Sequence, residues 1–270
     1  MLRVSNTVRK MNRLRLPAKT KTAVLFSNLS SWGNKDEAKH GWYSLYAILG
    51  EEIGSWFKFV SDTQLSLDPE ALSGIRLLYV SQLNYADTVT AVKLQSFTEN
   101  GGILVVLDPQ FLTWNIDGSP MAAIRTRLLG GELGDSRPAK HLVISNAGYR
   151  GLKSGTILAL SAVAHRESAG KVMAFKISPP ADAGIFARYE DGAPAAYERK
   201  VGKGRVIFFA AQPFGNSDLT LKPESWSDLF KAFANEIEEP TGLPIWDFVL
   251  PEKGGEVAVN YAVKPTQNGN

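Results

Sequence analysis

Cysteine does not occur among the 270 residues. Without a thiol the chain can form no disulfide, hold no metal through thiolates and attack no substrate through sulfur. Histidine is nearly as scarce. His40, His141 and His165 are the three, and none stands in an HxH or HExxH spacing or beside paired carboxylates. A zinc site is disfavoured, no metal is expected, and each histidine is read as exposed or hydrogen-bonded. Glycine motifs for phosphates are missing too. Gly202-Lys203-Gly204 is not a Walker loop and precedes a strand instead of a helix, so it reads as a tight turn needing positive φ. The loop after the first predicted strand holds one glycine, Gly33, and no GxGxxG, which argues against a dinucleotide. No GxSxG occurs. No cofactor is expected.

Charge of one sign is also lacking. The formal net charge is +3, too small to argue for a nucleic-acid partner. The excess is local: Met1 to Thr22 carries seven Lys or Arg and no Asp or Glu. Val4, Val8 and Met11 sit there at helical spacing and Pro17 ends the run, so residues 1–21 read as a basic, solvated helix or linker. No apolar run approaches the roughly 20 residues that span a bilayer, and no membrane partner is expected. Arginines interrupt Met11 to Leu16, which removes the apolar core of a signal peptide. The expected location is cytoplasmic by default, or secreted if the chain is a piece of a longer protein with an upstream signal.

What is present is alternation of strand and helix. The hydrophobic fraction is 44% and the charged fraction 21%, values of a globular chain with a sizeable core. Thr22–Ser27, Trp56–Val60, Ile75–Val80 and Ile103–Leu107 are short apolar runs, as expected of strands buried on both faces. Between the last two, Asp87 and Thr88 can cap a helix carrying Val89, Val92, Leu94 and Phe97, and Gly101-Gly102 stops it. Trp42, Leu45, Tyr46, Leu49 and Ile53 mark an earlier helical stripe. Asn28 to Gly33 reads as a loop and Pro69 to Leu72 as a helical turn. Right-handed crossovers then give a flavodoxin-like, doubly wound, mostly parallel α/β sheet. From about residue 140 the pattern turns β-rich. Leu142–Ile144, Ile157–Val163 and Val172–Ile177 are short strands, Asp191-Gly192 marks a hairpin, and Arg205–Ala211 is another buried strand. This region either extends the first sheet or forms a layer beside it. Trp226, Leu229, Phe230, Phe233 and Ile237 form an amphipathic helix. Residues 22–240 are read as one domain and 241–270 as a C-terminal extension with two more strands.

In such a sheet the loops at the carboxyl ends of the strands are the default ligand position. They start near Asn28, Asp62, Gln82 and Asp108. Asp108 ends a central strand and is the one candidate for carboxylate chemistry, against the simpler role of closing the strand with Pro109. Trp32, Trp42, Tyr85, Phe111 and Trp114 fall on or near these loops. Asn28, Trp32, Asp62, Gln82, Tyr85, Gln110 and Trp114 are therefore the candidate binding residues. They suit either a sugar, stacked on the rings, or an interface core, where aromatics are enriched.

The runs AVLFS and ALSGIRLLYVSQLNYADTVTAVKLQSFTENGGILVVLD, with the later YEDGAPAAYERKVGKGRVIFFAAQPFG, resemble class I glutamine-amidotransferase-like domains. They are most similar to the middle, trimerisation domain of bacterial β-galactosidases. The resemblance covers about Thr22 to Ile237. It implies a carbohydrate-related protein, and a role in assembly or support of a neighbouring glycosidase domain, as a homo-oligomer or docked on that domain. The departures bear on activity. Amidotransferases place a cysteine on the turn after a central strand and a His-Glu pair later. Here the turn reads Asp108-Pro109-Gln110, and Gln212-Pro213-Phe214 has no histidine. A working glutaminase is excluded, and no eightfold βα pattern supplies a glycosidase barrel.

Overall fold

The computed structural model describes residues 19–33, 35–160, 174–213, 224–242, 244–249 and 258–263. The helix expected in the basic segment, His165, Phe214 and the polar tail from Pro265 lie outside the described residues. The first half runs β1 (Thr22–Phe26), α1 (Asn28–Gly33), α2 (Lys35–Tyr46) continued by a π-helical turn (Ala47–Glu52), β2 (Lys58–Ser61), α3 (Asp62–Leu67), β3 (Leu77–Val80), β4 (Tyr85–Ala86), α4 (Thr88–Glu99) and β5 (Ile103–Val106). There follow β6 (Trp114–Asn115), α5 (Ala122–Leu129), β7 (Glu132–Arg137), β8 (His141–Ile144), β9 (Ile157–Ala159), β10 (Ala174–Ser178), β11 (Gly184–Tyr189), β12 (Pro194–Val201), β13 (Gly204–Phe209), α6 (Glu224–Glu236), β14 (Pro244–Val249) and β15 (Ala258–Val263).

Nine strands form one mixed sheet in the order β2-β1-β3-β5-β13-β12-β11-β8-β9. The first five are parallel and the remainder antiparallel. All residues of β3 and β5 are buried, because helices cover both faces of the parallel half. α4 packs on β5 and β13, with α3 and α5 beside it, while α2 packs on β1. The rings of Phe230 and Trp226 on α6 meet Tyr79 and Phe209 across the second face. The β-rich region takes the first of the two courses expected of it in most of its strands. β8, β9, β11 and β12 extend the sheet, whereas β7 and β10 pair separately. The two terminal strands are present as an antiparallel pair, Pro244–Val249 with Ala258–Val263.

Glycines make two of the turns. Gly192 takes φ +84° at the β11–β12 hairpin, as the Asp-Gly signal implies. Gly202 takes φ +60°. A Cβ on Gly204 would lie 2.2 Å from the carbonyls of both Thr98 and Gly102. The GKG turn is thus a close approach of backbone to the end of α4, not a phosphate cradle.

Three expectations need correction. Asn28–Gly33 is helical, not a loop. Its Ser, Asn and Gly content gives it poor intrinsic propensity, but Ser27 caps it: Ser30 N–H donates to Ser27 Oγ at 3.0 Å. The stripe of α4 is also out of phase. Val89 and Val92 are exposed, at 50% and 46%, and the buried positions are Thr90, Ala91, Leu94 and Thr98. Threonine tolerates burial here because each hydroxyl is bonded, Thr90 Oγ1 to Asp62 O at 3.3 Å and Thr98 Oγ1 to Leu94 O at 2.9 Å. In the earlier stripe Leu45, Leu49 and Ile53 are buried but Tyr46 is exposed. A π turn follows Tyr46, with Ile53 N–H bonded to Ile48 O at 3.0 Å.

Two predictions come from this packing. Val105 is fully buried between β3 and β13, so Val105→Asp should unfold the protein, since an unpaired buried charge costs several kcal/mol; loss of the cooperative thermal transition in circular dichroism checks it. The second concerns Glu239, whose carboxylate accepts Lys21 N–H at 2.6 Å and ties the start of β1 to the end of α6. Burial pushes this carboxyl above its ordinary value, against the pull of the Lys21 and Thr20 hydrogen bonds and the Lys21 charge. A carboxyl with a raised folded pKa stabilises fully below its unfolded pKa, and that contribution is lost as pH rises through the folded value. Glu239→Gln keeps an acceptor without the charge. Its melting temperature relative to wild type should rise between about pH 4 and pH 7.

Candidate functional site

Each of the five parallel strands ends in a buried polar residue: Ser27 after β1, Asp62 after β2, Ser81 and Gln82 after β3, Asp108 after β5 and Gln212 beyond β13. The parallel pairing sets these in a single row along the carboxyl edge, the expected place for chemistry.

The carboxylates of the row are engaged by backbone. Asp108 Oδ2 accepts Leu83 N–H at 2.7 Å and Oδ1 accepts Gln110 N–H at 2.9 Å. The turn behind it is tight. Leu112 takes φ +50° while fully buried, a conformation that surrounding contacts must hold. Leu112 N–H donates to Leu83 O at 2.7 Å and Trp114 N–H to Asn84 O at 2.9 Å. From α5, Arg125 reaches over the same turn. Its Nη2 donates to Pro109 O at 2.9 Å, and its Nη1 donates to Phe111 O and lies 3.5 Å from Thr113 Oγ1. Burial lowers the Arg125 pKa, while the Asp108 charge works against that shift. Asp108 thus organises two loops as a buried acceptor near a partly buried guanidinium.

Asp62 has the same role at the end of β2, beyond β1 and β3 in the sheet. Its Oδ2 accepts Ser27 Oγ–H at 3.0 Å and Leu29 N–H at 3.1 Å, placing negative charge at the start of α1. Asn28 Nδ2 reaches Thr63 Oγ1 at 3.4 Å on the surface. Gln82 is buried and its Oε1 has no partner among the described residues. Gln110 is half-buried on the Asp108 turn.

The aromatic candidates separate into two groups. Phe111 is fully buried, and Trp42 lies half-buried on α2. Trp32, Tyr85 and Trp114 are exposed, Trp32 at 75%. Tyr85 and Trp114 are register partners in the parallel β4–β6 pair. α1, which carries Trp32, packs on β4, with Tyr85 N–H donating to Ser30 Oγ at 3.3 Å. The three exposed rings therefore stand on neighbouring elements at the carboxyl edge. At the opposite, amino edge a groove of about 460 Å³ opens, lined among others by Leu65, Leu72, Ile75, Arg76, Phe97 and Gly102.

Sequence reasoning passed over Arg125, Ser27, Ser81 and Gln212. One signal was available: β5 runs into Leu107-Asp108-Pro109 and β13 into Ala211-Gln212-Pro213, the same polar-proline ending on adjacent strands. Arg125 offers no such signal, because its partners are carbonyls of a distant turn. Among the described residues no group of three His, Asp or Glu could hold a metal ion, and no helix is long and apolar enough to cross a membrane. His141 pairs at the surface with Glu190, Nδ1 to Oε1 at 3.5 Å.

The sequence matches no family model and no curated protein. The fold does have solved counterparts. A β-galactosidase from Bacillus circulans sp. alkalophilus superposes with a TM-score of 0.62 at 13% identity, over 92% of this chain and 35% of that one. A cold-adapted β-galactosidase from Rahnella sp. R3 gives 0.60 at 18% identity, over 87% and 33%. A putative ThuA-like protein from Bacteroides uniformis gives 0.54 at 12% identity, over 82% of this chain and 93% of that one. The chain spans about a third of the length of the β-galactosidases it matches. At these identities the likeness is one of fold: an α/β architecture that recurs within β-galactosidases and stands nearly alone in a ThuA-like protein.

If Asp108 is a structural acceptor, Asp108→Asn should destabilise the protein. An asparagine offers one oxygen where two N–H groups now find acceptors, and an unsatisfied buried donor costs about 1–3 kcal/mol. The urea midpoint checks this, with a drop expected at unchanged m-value.

Proposed function

We propose that this chain is a non-catalytic, flavodoxin-like domain of the class I glutamine-amidotransferase type, belonging to a carbohydrate-active protein and serving the assembly or support of a neighbouring catalytic domain. The observation that carries the reading is the state of Asp108. It stands where such folds put their reactive group, at the end of a central strand, yet its carboxylate oxygens accept backbone N–H bonds in a buried turn. A general acid or nucleophile must reach its substrate, and this carboxylate faces protein. The absence of any thiol removes glutaminase chemistry. The fold shared with a portion of two β-galactosidases supports the carbohydrate context. The partner in this reading is a second copy or an adjoining glycosidase domain.

A second reading has its own support. Trp32, Tyr85 and Trp114 are exposed on adjoining elements, and exposed rings side by side offer apolar faces to the C–H face of a sugar. This is a carbohydrate-binding module, without turnover.

One set of measurements separates these readings from catalysis. The purified protein should hydrolyse neither glutamine nor aryl-β-galactosides above the buffer rate. Turnover abolished by Asp108→Asn in a folded variant would replace the proposal with a carboxylate hydrolase. Saturable quenching of tryptophan fluorescence by galacto-oligosaccharides, lost in Trp32→Ala and Trp114→Ala, would favour the binding module over the supporting domain.

A further inference from the structure

The groove at the amino edge has no part in the readings above. Its volume of about 460 Å³ falls within the roughly 300–1,000 Å³ of small-molecule sites. The turn after α3 brings Pro69 and Leu72 to it, the entry to β3 brings Ile75 and Arg76, and the last turns of α4 bring Ser96 and Phe97. Leu72 and Phe97 pack against the core but are only partly buried. The groove therefore keeps apolar surface in contact with water, which a ligand of matching character would displace.

The walls are held in place by the protein itself. The Lys93 ammonium on α4 donates to the Leu65 carbonyl and, at 3.1 Å, to the Asp68 carbonyl, which ties the end of α3 to α4. Lys58 Nζ donates to Ala71 O at 2.7 Å and holds the turn that follows. Gly102 sets the Phe97 ring. A Cβ on Gly102 would lie 2.4 Å from Phe97 Cζ, so the ring occupies the space a side chain would take. Gly101 takes φ +114°, whereas Gly102 is not among the positive-φ glycines. Its missing side chain is what lets the ring lie against the backbone. Walls formed in advance spare a ligand the cost of ordering them. The charges are also arranged. Asp68, Arg76 and Lys93 line the groove. Lys93 is engaged by carbonyls, and Asp68 Oδ1 accepts Glu70 N–H at 2.8 Å. Arg76 is exposed, and its guanidinium has no hydrogen bond or ion pair among the described residues. Two cations against one carboxylate leave a single positive charge. The carbonyl end of α4 beside them adds partial negative charge.

We propose that the amino-edge groove binds a small monocarboxylate with one compact apolar group, an aryl or short alkyl acid. Its carboxylate pairs with Arg76, and its apolar part lies against Leu72, Ile75 and Phe97. A planar guanidinium matches a carboxylate through two parallel hydrogen bonds, and the apolar part leaves water on contact with the wall. A phosphate dianion fits less well, because Asp68 and the carbonyl end of α4 oppose the second negative charge. A neutral sugar leaves the guanidinium unpaired. The inference goes beyond the non-catalytic and sugar-binding readings and does not rest on them, since the groove opens at the opposite edge of the sheet.

The test uses the whole 270-residue chain, titrated by calorimetry with phenylpropionate. Phenylpropanol serves as the neutral counterpart and inorganic phosphate as a second anion. Wild type should bind phenylpropionate saturably, with a dissociation constant in the millimolar range or below, and should bind the alcohol and phosphate about tenfold more weakly or worse. Arg76→Gln, at an exposed position, should weaken phenylpropionate about tenfold and leave the alcohol unchanged. Ser96→Trp fills the groove from an exposed position on α4 and should abolish binding of both. Thermal melting by circular dichroism checks that each variant is folded, and Arg76→Gln decides the question should Ser96→Trp fail to fold. The inference is overturned if wild type shows no saturable binding, if the alcohol or phosphate binds as tightly as phenylpropionate, or if Arg76→Gln binds phenylpropionate as wild type does. None of these results bears on turnover or on oligosaccharide binding, which test the earlier readings separately.

Discussion

The structure depends on the ladder between β3 and β5. Leu77–Val80 and Ile103–Val106 pair in register, parallel, with every residue buried. A parallel pair of this kind can show neither face to water, so it obliges helices on both sides and further strands at both flanks. It also sets what happens at the strand ends. The chain leaves a dry sheet there and must turn at once, with its freed N–H groups bonded to something. Asp108, Asp62 and Ser27 are those acceptors. The same requirement that built the sheet therefore engages Asp108, Asp62 and Ser27 at its carboxyl edge.

The antiparallel half is joined differently. Glu198 on β12, Arg205 on β13, Glu236 on α6 and Arg150 in the loop after β8 form a closed ring of ion pairs. Arg150 contacts both glutamates, with Nη2 to Glu198 Oε2 at 2.7 Å, and Arg205 does likewise, with Nε to Glu198 Oε1 at 3.3 Å. Tyr149 OH donates to Glu198 Oε2, and its ring stacks on Phe186 with centroids 4.0 Å apart. Arg150 takes φ +49° and lies over the Tyr149 and Phe233 rings. These side chains are only partly withdrawn from water, so each pair adds about 1 kcal/mol or less. The geometric effect exceeds the energetic one. One planar guanidinium bridging a strand and a helix sets where α6 crosses the sheet, and α6 in turn covers Tyr79 and Phe209.

The local order of elements, and the parallel unit at their centre, can be read from the amino-acid sequence alone. Apolar runs such as Leu77–Val80 and Ile103–Val106 suit strands buried on both faces, Asp87 before Thr88 caps α4 through Thr90 N–H at 2.6 Å, and glycine turns need positive φ. These are nearest-neighbour constraints, so they are legible along the chain. The absence of cysteine excluded thiol chemistry with no coordinates needed. The remainder was settled by contacts between distant segments. α1 has Ser27 beside it as a local cap, but the acceptor for its Leu29 N–H comes from Asp62, far along the chain. The inward face of α4 belongs to Thr90 and Thr98 because their hydroxyls find partners, which no hydropathy pattern encodes. β13 joins the parallel set beside β5 after a long excursion, and its position follows from packing and not from any local signal. Asp108, identified from its place at a strand end, acquires its structural surroundings from Leu83 and Gln110 N–H and from Arg125 on α5. Whether a carboxylate is available to a substrate is a question of what surrounds it in space, and spatial neighbours brought together by folding are not written in sequence spacing.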